Sequence, residues 1–524
     1  MKCHLAIISF LIVVYENNAN FVKDYDTEYY SSSVQGLLKL LEVEDELVIN
    51  LTGFADALQK KLETLQMFLR TIDSAAHATE KGREEYISNP MRALGLIRRL
   101  RQDWPQLEIF TKAEVGKDQL ETMTTLLDIV PTNEDMDASL LGISRIELTY
   151  DLNPMDVAEG RLRDMQFNTT FNTRDCLAIA NHKYEIGDYA RALIWYRIAL
   201  KRQPEPNTEL FGQPLDDAVR QNLFKTHMLL AMQILQASMN PEEAHEKVND
   251  IFKTLSSTDL DSYVNELLNQ DDDQLFMELQ SMQPIATPEF VGCRGHFPKR
   301  HNLSCRYNFT TTPFLRLAPL KLEEINHDPY VVMYHNVIYD SEIEEMKRLS
   351  PQMQNGYIHG YKANQTKVTD IAARVNWLVE NTPFLERMNQ RITDMTGFDL
   401  KEFPSVQVAN FGIGNNFEAH YDYIFGKRVR KEDVGDLGDR LASIIFYSSD
   451  VPLGGATVFP DIQVAVQPQK GNSLLWYNLF DDGTPDPRSL HSVCPVVVGS
   501  RWTLTKWLHT SPQMFIKRCT RPVK

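Results

Sequence analysis

The chain has 524 residues, a hydrophobic content of 43% and a formal net charge of −17 at pH 7. This length accommodates two or three domains, and the hydrophobic content is sufficient for packed cores. The negative charge argues against nucleic acid as a partner, because nucleic-acid-binding domains carry basic surfaces. The sequence contains no Walker A, GxSxG or HExxH motif, so three common enzyme classes have no support.

The chain begins with a short apolar segment, Leu5–Val14, that follows Lys2. An apolar core of ten residues is too short to span a bilayer but is typical of a secretory signal. We therefore expect residues 1–19 to be a signal peptide, cleaved between Tyr15 and Asn20. Five sequons predict glycosylation in a secretory compartment: Asn50, Asn168, Asn302, Asn308 and Asn364.

The segment 20–145 is predicted to be a helical domain. From Leu47 onward the apolar positions recur at steps of three and four residues: Leu51, Phe54, Leu58, Leu62, Leu65 and Leu69. This period gives one continuous stripe along a helix, which is typical of a core or a coiled-coil seam.

The next segment, 146–255, carries a helix-pair pattern that fits a tetratricopeptide-like repeat. The pattern consists of Cys176–Ala180, Tyr184, Gly187–Tyr189, Ala192, Trp195, Tyr196 and Ala199. The concave face of such a repeat can hold an extended peptide, and Tyr184, Tyr189 and Tyr196 are the candidate contacts. An equally open interpretation is that these tyrosines form the core of the repeat. The second helix pair, 223–255, contains no tyrosine.

Residues 256–325 are predicted to be a connector, since Pro284, Pro288 and Pro298 interrupt its helical runs. The acidic run Asp271–Asp273 is predicted to be a solvated surface.

The segment 326–524 is rich in short strand-like runs separated by Gly and Pro turns, which favours a sandwich or barrel. The predicted strands are 405–410, 440–447, 463–467, 473–478, 496–498 and 501–505. A jelly roll of such strands can bring distant residues together. The expected fold is thus multidomain α+β, with an all-helical first half and a C-terminal double-stranded β-helix.

Four residues of this segment form a spaced set: His420, Asp422, His491 and Arg501. Two imidazoles and one carboxylate can occupy one face of an octahedral Fe(II) and leave positions open. A cation farther along the chain can hold the distal carboxylate of a dicarboxylic co-substrate. The set is that of an iron- and 2-oxoglutarate-dependent oxygenase.

The sequence around this set resembles one family throughout. The matching motifs are His420-Tyr-Asp-Tyr423, Gly454-Gly-Ala-Thr-Val-Phe-Pro460, Trp476-Tyr-Asn-Leu479, His491-Ser-Val-Cys-Pro495 and Lys506-Trp-Leu-His509. They resemble the catalytic domain of the collagen prolyl 4-hydroxylase α subunit. The resemblance is strongest between Tyr330 and Cys519 and is collinear back to Ser31.

The resemblance implies the roles of the site residues and the reaction. It makes His420, Asp422 and His491 iron ligands and Arg501 the partner of the co-substrate. With O₂ and 2-oxoglutarate, the enzyme would hydroxylate C4 of proline in X-Pro-Gly sequences and release succinate and CO₂, with L-ascorbate as reductant. His509 would assist the co-substrate, although a strand-end His bonded to a carbonyl explains this position equally well.

The resemblance also implies partners and compartment. The segment 20–145 would mediate dimerisation, and 146–255 would bind the proline-rich peptide of procollagen. Protein disulfide isomerase would be the β subunit of an α₂β₂ tetramer in the endoplasmic reticulum lumen. Because Arg521–Lys524 is not a KDEL-type signal, we expect this partner to provide retention.

The family pattern further predicts two disulfides, Cys293–Cys305 and Cys494–Cys519, and leaves Cys176 as a buried free thiol. Two positions depart from the pattern: Arg501 stands in place of Lys, and Phe411 in place of a frequent Tyr. These departures leave open a non-catalytic subunit that binds proline-rich peptides. A hydroxylase of a non-collagen secreted protein is the other alternative.

Overall fold

The computed structural model describes residues 34–72, 79–202, 215–238, 260–281, 285–351, 353–359, 368–379, 382–400, 405–424 and 435–517. The predicted signal peptide, the sequon Asn364 and Cys519 lie outside these ranges. Contacts divide the chain into two compact units, Gln35–Thr132 and a unit that begins at Asn133. No helix in the described ranges has the length and apolar character needed to cross a bilayer.

The first unit is helical, as predicted. Its helices are α1 Val34–Arg70, α2 Glu80–Ile87, α3 Pro90–Arg98, α4 Trp104–Lys112 and α5 Lys117–Leu127. The start of α3 illustrates how the sequence sets a boundary: the Asn89 side chain accepts from the backbone N–H groups of Met91 and Arg92, and Pro90 occupies the first turn. Along α1, several leucines of the predicted stripe are exposed: Leu51, Leu58, Leu62 and Leu69.

The second unit begins with further helices. They are α6 Asn133–Tyr150, α7 Pro154–Ala158, α8 Thr173–Glu185, α9 Tyr189–Lys201, α10 Leu215–Ser238, α11 Leu260–Leu268, α12 Asp272–Ser281 and α13 Pro288–Cys293. A short hairpin, β1 Arg161–Leu162 with β2 Met165–Gln166, lies between α7 and α8. The predicted helix pair is present as α8 and α9. Gly187 takes φ +80° in their connection, and the Asp188 side chain caps α9.

A buried ion pair ties α6 to this helix pair. Lys183 Nζ lies 2.7 Å from Glu147 Oε2, and both side chains are 1% exposed. The other carboxylate oxygen of Glu147 accepts a 3.0 Å hydrogen bond from Trp195 Nε1. Because each charge is buried with a partner, the removal of either one would leave an uncompensated charge in the core.

The prediction of a connector at 256–325 is wrong for its first part. Val264 and Leu267 of α11 are buried in the same core as Trp195. Arg197, fully buried on α9, donates to Asp272 at 2.6 Å and to the carbonyl of Leu267. The acidic run is therefore not purely solvated surface, because Asp272 neutralises a buried guanidinium.

The C-terminal part is an antiparallel sheet domain. Its strands are β3 Cys305–Asn308, β4 Leu320–Asn326, β5 Val331–His335, β6 Gln354–His359, β7 Val368–Leu378, β8 Val406–Phe411, β9 Phe417–His420, β10 Arg440–Tyr447, β11 Leu453–Gly454, β12 Thr457–Phe459, β13 Val464–Val466, β14 Ser473–Tyr477, β15 His491–Val493, β16 Val496–Val498 and β17 Arg501–His509. Within the described ranges, the large sheet has the order β3-β4-β5-β14-β10-β17-β8-β7-β6 and the small sheet β13-β12-β15-β9. The large sheet starts at Cys305, before the predicted domain boundary at 326.

The two faces of the large sheet are covered differently. Helices α14 Asp340–Arg348 and α15 Pro383–Thr396 pack on one face, where Phe384 and Met388 are buried against Ile444. On the other face, Tyr447 and Trp476 share a core with Phe459 and Val464 of the small sheet. The small sheet therefore lies over the centre of the large one, as in a two-layered β structure.

Helix α6 packs directly on the sheet domain. Tyr150 donates a buried 2.7 Å hydrogen bond from its hydroxyl to the carbonyl of Pro495. A Cβ at Gly414 would lie 2.4 Å from Cα of Gly142, so the two backbones touch. Ile146 of α6 belongs to one core cluster with Trp195 of α9 and Val497 of β16. The predicted domain boundary at 145/146 therefore falls inside a helix that packs both on the helix pair and on the sheet domain.

The predicted disulfide pairing is wrong. Cys293 is bonded to Cys494, with 5.7 Å between their Cα atoms, and Cys305 is exposed and forms no disulfide with any described cysteine. The reason is that α13 packs on β12, where a Cβ at Gly292 would lie 2.6 Å from Val458 Cγ1, and this contact places Cys293 beside Cys494. Cys176 is a buried free thiol, as predicted.

One predicted glycosylation site is incompatible with the fold. Asn308 is 4% exposed, and its Nδ2, the atom that a glycan would occupy, donates to the carbonyl of Met395 at 3.3 Å. By contrast, Asn168 and Asn302 are exposed and Asn50 lies on α1.

The disulfide can be tested by peptide mapping without reduction. We expect mass spectrometry of a proteolytic digest to recover the peptide containing Cys293 cross-linked to that containing Cys494, with Cys305 alkylated. Recovery of a Cys293–Cys305 cross-link instead would contradict the observed packing of α13.

The close packing around Pro495 and Tyr150 can be tested at Gly454. Its φ is +86°, and an added Cβ would lie 2.4 Å from the carbonyl oxygen of Pro495 and 2.9 Å from the hydroxyl of Tyr150. The matched control is Gly483, which has φ +84° and nothing within 4 Å of an added Cβ. Both alanine variants bear the backbone strain, so we expect Gly454→Ala to lose about 1–3 kcal/mol more unfolding free energy. Equal losses in chemical denaturation would show that crowding at Gly454 is absent.

Candidate metal and co-substrate site

Two strands of the small sheet bring the predicted metal ligands together. His420 ends β9 and His491 begins β15, and the two residues are directly paired across these strands. Asp422 follows two residues after His420. Its Oδ1 lies 3.7 Å from His420 Nε2 and its Oδ2 lies 3.7 Å from His491 Nε2. The ligand atoms of the three residues all lie within 4.8 Å of one another.

Backbone carbonyls orient both imidazoles. His420 Nδ1 lies 2.8 Å from the carbonyl oxygen of Glu418, and His491 Nδ1 lies 3.0 Å from that of Ser489. A carbonyl oxygen only accepts, so Nδ1 carries the proton in each ring and Nε2 keeps its lone pair. Both lone pairs are therefore available to a metal between the rings and Asp422.

The electrostatics keep the site in a state that can bind a metal. Burial would raise the pKa of Asp422, but the neighbouring His491, His420 and Arg440 together lower it. Burial lowers the pKa of His420, and His491 beside it adds to this effect. At neutral pH the carboxylate is charged and His420 is neutral, which are the forms that coordinate metals.

Aromatic rings pack around the two histidines. Phe417 stacks on His420 with 3.5 Å between ring centroids. Trp476 meets His491 edge-on at 4.7 Å, and Phe459 lies 5.6 Å from His491. Trp476 is buried, as predicted for a core residue, and it restrains a ligand at the same time.

This donor set fits a divalent transition metal. Two imidazole nitrogens from adjacent strands and one carboxylate oxygen from Asp422, which follows β9, match the facial arrangement of non-haem Fe(II) sites. Three protein ligands leave further coordination positions for small molecules.

Arg501 is a buried cation. It begins β17, pairs with Phe411 of β8 and is 2% exposed. Its Nη2 donates to Thr457 Oγ1 at 3.0 Å, while its Nε has no hydrogen-bond partner within the described ranges. Burial lowers the pKa of Arg501, and the neighbouring Tyr447 opposes this change.

The charge of Arg501 lacks an acidic partner among the described residues. Its close neighbours are instead the ring of Phe411, at 5.0 Å, and that of Tyr447, at 5.6 Å. A buried charge without a counter-charge is costly unless a ligand supplies one. The site therefore fits an anionic group, and the carboxylate of a dicarboxylic acid matches the guanidinium fork.

Four residues of the site were missed by the sequence analysis. Thr457 joins Arg501 to Tyr447, whose hydroxyl lies 2.8 Å from Thr457 Oγ1. Ser443 and Asn478 lie behind Asp422. Thr457 and Asn478 belong to the motifs Gly454–Pro460 and Trp476–Leu479, which were usable signals, whereas Ser443 and Tyr447 are recognisable only from strand register.

His509 and Lys506 lie on different faces of β17. His509 Nδ1 donates to the carbonyl of Gly438 at 3.0 Å, and its pairing partner Arg440 donates to the carbonyl of Asp422 at 3.3 Å. Lys506 donates to the carbonyl of Ser405 at 3.0 Å, and burial lowers its pKa to about 7. Alternation along the strand places Lys506 opposite to Arg501, on the face covered by helices.

The three candidate peptide-binding tyrosines have different environments. Tyr184 and Tyr189 are half-buried and meet edge-to-face, with 5.7 Å between ring centroids. Tyr196 is 1% exposed and donates to Asn181 Oδ1 at 2.7 Å. The prediction that the ring of Tyr196 lines a groove is wrong, because α9 turns this residue into the core.

Comparisons with known proteins agree with this geometry. Residues 33–164 match the family model of the prolyl 4-hydroxylase alpha-subunit, N-terminal region. Residues 406–509 match that of the 2OG-Fe(II) oxygenase superfamily. The prolyl 4-hydroxylase subunit alpha-1 of Gallus gallus is 30% identical over 526 residues, which cover 94% of this chain and 99% of that protein.

The chain belongs to the prolyl 4-hydroxylase α-subunit family. Subunit alpha-2 of Gallus gallus is 29% identical over 543 residues, with 98% of each chain covered, and subunit alpha-2 of Caenorhabditis elegans is 27% identical over 507 residues, with 93% of each covered. A viral collagen prolyl hydroxylase from Paramecium Bursaria Chlorella virus-1, solved with 2OG, covers 34% of this chain and 95% of its own, at 16% identity and TM-score 0.27. As a member of the prolyl 4-hydroxylase family with an oxygenase domain, the chain is a 2-oxoglutarate- and Fe(II)-dependent proline 4-dioxygenase.

Proposed function

We propose that this chain is the catalytic α subunit of a procollagen-proline 4-dioxygenase, which converts proline in X-Pro-Gly sequences to 4-hydroxyproline. The observation that carries the proposal is a His–Asp–His set with both Nε2 atoms available. The same β domain contains a buried guanidinium, that of Arg501, which has no acidic partner in the part of the chain that the structure describes. Membership of the prolyl 4-hydroxylase family supports the choice of proline as the residue acted on.

Each site residue has a defined task in this proposal. His420, Asp422 and His491 would hold Fe(II), and Arg501 with Thr457 would bind the distal carboxylate of 2-oxoglutarate. Bound iron would supply the positions at which O₂ and 2-oxoglutarate react to give succinate and CO₂. The aromatic rings of Phe417, Phe459 and Trp476 would exclude water, and L-ascorbate would maintain the iron in its Fe(II) state.

Phe411 does not disable the co-substrate pocket in this proposal. It lacks the hydroxyl that the family often has, but the hydroxyl groups of Thr457 and Tyr447 lie beside Arg501. The guanidinium can also form two parallel hydrogen bonds with a carboxylate, which an ammonium group cannot. His509 would act indirectly, since its neighbour Arg440 contacts the carbonyl of Asp422.

We propose that residues 146–255 form a tetratricopeptide-like domain that binds the proline-rich substrate. The packed pair α8 and α9 supports the repeat, and the edge-to-face pair Tyr184 and Tyr189 provides an aromatic surface. Such surfaces suit the preformed polyproline II helix, which loses little entropy on binding. The facing antiparallel sheets likewise support a double-stranded β-helix as the catalytic fold.

The quaternary and cellular proposals rest on the sequence and on exposed surfaces. The exposed leucines of α1 support dimerisation through segment 20–145. Protein disulfide isomerase is the proposed β subunit of an α₂β₂ tetramer in the endoplasmic reticulum lumen. The signal-like segment 1–19 and the Cys293–Cys494 disulfide support this oxidising compartment, and Asn50, Asn168 and Asn302 are the proposed glycosylation sites.

The activity can be tested on the chain co-expressed with protein disulfide isomerase. We expect the complex, supplied with Fe(II), ascorbate, 2-oxoglutarate and a (Pro-Pro-Gly)ₙ peptide, to form succinate and 4-hydroxyproline in equal amounts. Because His420→Ala removes a metal ligand, it should reduce both products by more than about 100-fold. The control His335→Ala alters a half-buried histidine bonded to Glu323 and should retain activity within about two-fold.

The outcomes separate the candidate functions. Succinate without hydroxyproline would keep the oxygenase and redirect the search to another substrate, such as a non-collagen secreted protein. The absence of both products from a folded complex would contradict the proposal and favour a non-catalytic peptide-binding subunit.

A further inference from the structure

A chain of buried hydrogen bonds leads from the large sheet to the carboxylate of Asp422. Ser443 on β10 donates from Oγ to Asp422 Oδ2 at 2.5 Å. Asn478, which follows β14, donates from Nδ2 to Ser443 Oγ at 2.9 Å and to the carbonyl of Arg440 at 3.3 Å. Both Ser443 and Asn478 are completely buried.

The direction of this chain is fixed by the groups themselves. A carboxylate only accepts, so the single hydroxyl proton of Ser443 points to Asp422. Ser443 Oγ must then accept from Asn478, whose Nδ2 is the donor end of the amide. The Asn478 backbone is held as well, since its N–H donates to the carbonyl of Leu441 at 2.9 Å and its carbonyl accepts from Asp486 N at 3.0 Å.

We infer that Ser443 and Asn478 are positioning residues that fix the rotation of the Asp422 carboxylate and so restrict it to one-oxygen coordination of the metal. This inference rests on the proposed function of Asp422 as a ligand. A carboxylate can bind a metal through one oxygen or through two. The strong hydrogen bond from Ser443 to Oδ2 of Asp422 keeps that oxygen from coordinating the metal.

The restriction has a consequence for the reaction. With one oxygen from Asp422 and two imidazoles as its protein ligands, a six-coordinate metal would keep three positions open. A co-substrate that binds through two atoms, together with O₂, would occupy all three. If Asp422 bound through both oxygens, one of these positions would be lost, so the contact from Ser443 preserves room for both reactants.

The test uses the full chain co-expressed with protein disulfide isomerase and stripped of metal, with Co(II) as the probe. We expect Ser443→Ala to weaken Co(II) binding by about 10–100-fold, as for other residues that support metal ligands, and to alter the visible Co(II) spectrum, which reports coordination number. Asn478→Ala should also weaken Co(II) binding, by a smaller factor than Ser443→Ala. Ser443→Thr keeps the hydroxyl and should restore binding towards the wild-type value.

Ser473→Ala is the matched control. Ser473 lies on β14 opposite Phe446 of β10, is completely buried, and has a hydroxyl without a hydrogen-bond partner among the described residues. Its removal deletes one buried hydroxyl from the same pair of strands and should leave Co(II) affinity and spectrum unchanged.

The possible results are distinct. Wild-type affinity and spectrum in Ser443→Ala and Asn478→Ala would overturn the inference, and so would an equal loss in Ser473→Ala, which would assign the effect to packing. If Ser443→Ala does not fold, the inference is tested by Asn478→Ala and Ser473→Ala alone. It then requires weaker Co(II) binding in Asn478→Ala than in Ser473→Ala. A wild-type chain that binds Co(II) no better than His420→Ala would instead refute the metal site itself.

Discussion

The pairing of β9 with β15 is the constraint on which the rest of the site depends. It sets His420 directly opposite His491, so two residues far apart in sequence present their rings to one point. The strands are held there because the small sheet packs on the large one through Phe459 and Trp476. The apolar core between the two sheets thus restricts the rotation of the two histidine side chains before any metal binds. A slip of either strand by one residue would turn its histidine to the opposite face and separate the two rings.

The same packing buries a positive charge at a second position, Arg501. Arg501 is placed by its pairing with Phe411 and is buried without an acidic partner in the described part of the chain. A folded protein retains such a charge at a cost, which an anionic ligand offsets on binding. In the proposed function the metal ligands and this cation would act together: the metal ligands would fix where a co-substrate reacts, and Arg501 would select a co-substrate with a distal negative charge.

Sequence patterns predicted the elements better than they predicted the contacts between them. The strands at 440–447 and 496–498 were located to the residue, because short apolar runs and the turn residues beside them are local signals. The partner of Cys494 was not, since Cys293 lies 201 residues away and the packing of α13 decides the pair. Ser443 was missed for a similar reason: its role depends on strand register. Tyr196 and the buried helix α11 show that tertiary packing decides which face of a helix is exposed.

The central claim is that the His–Asp–His set and Arg501 form one binding site for metal and dicarboxylate. The most direct measurement is an anaerobic titration of 2-oxoglutarate into the Fe(II)-loaded complex, followed by the visible charge-transfer absorption of the iron chelate. We predict saturation at one equivalent per chain, with affinity about 100-fold weaker in Arg501→Ala because the carboxylate loses its cation. Unchanged affinity in Arg501→Ala, or no absorption change in the wild type, would contradict the account.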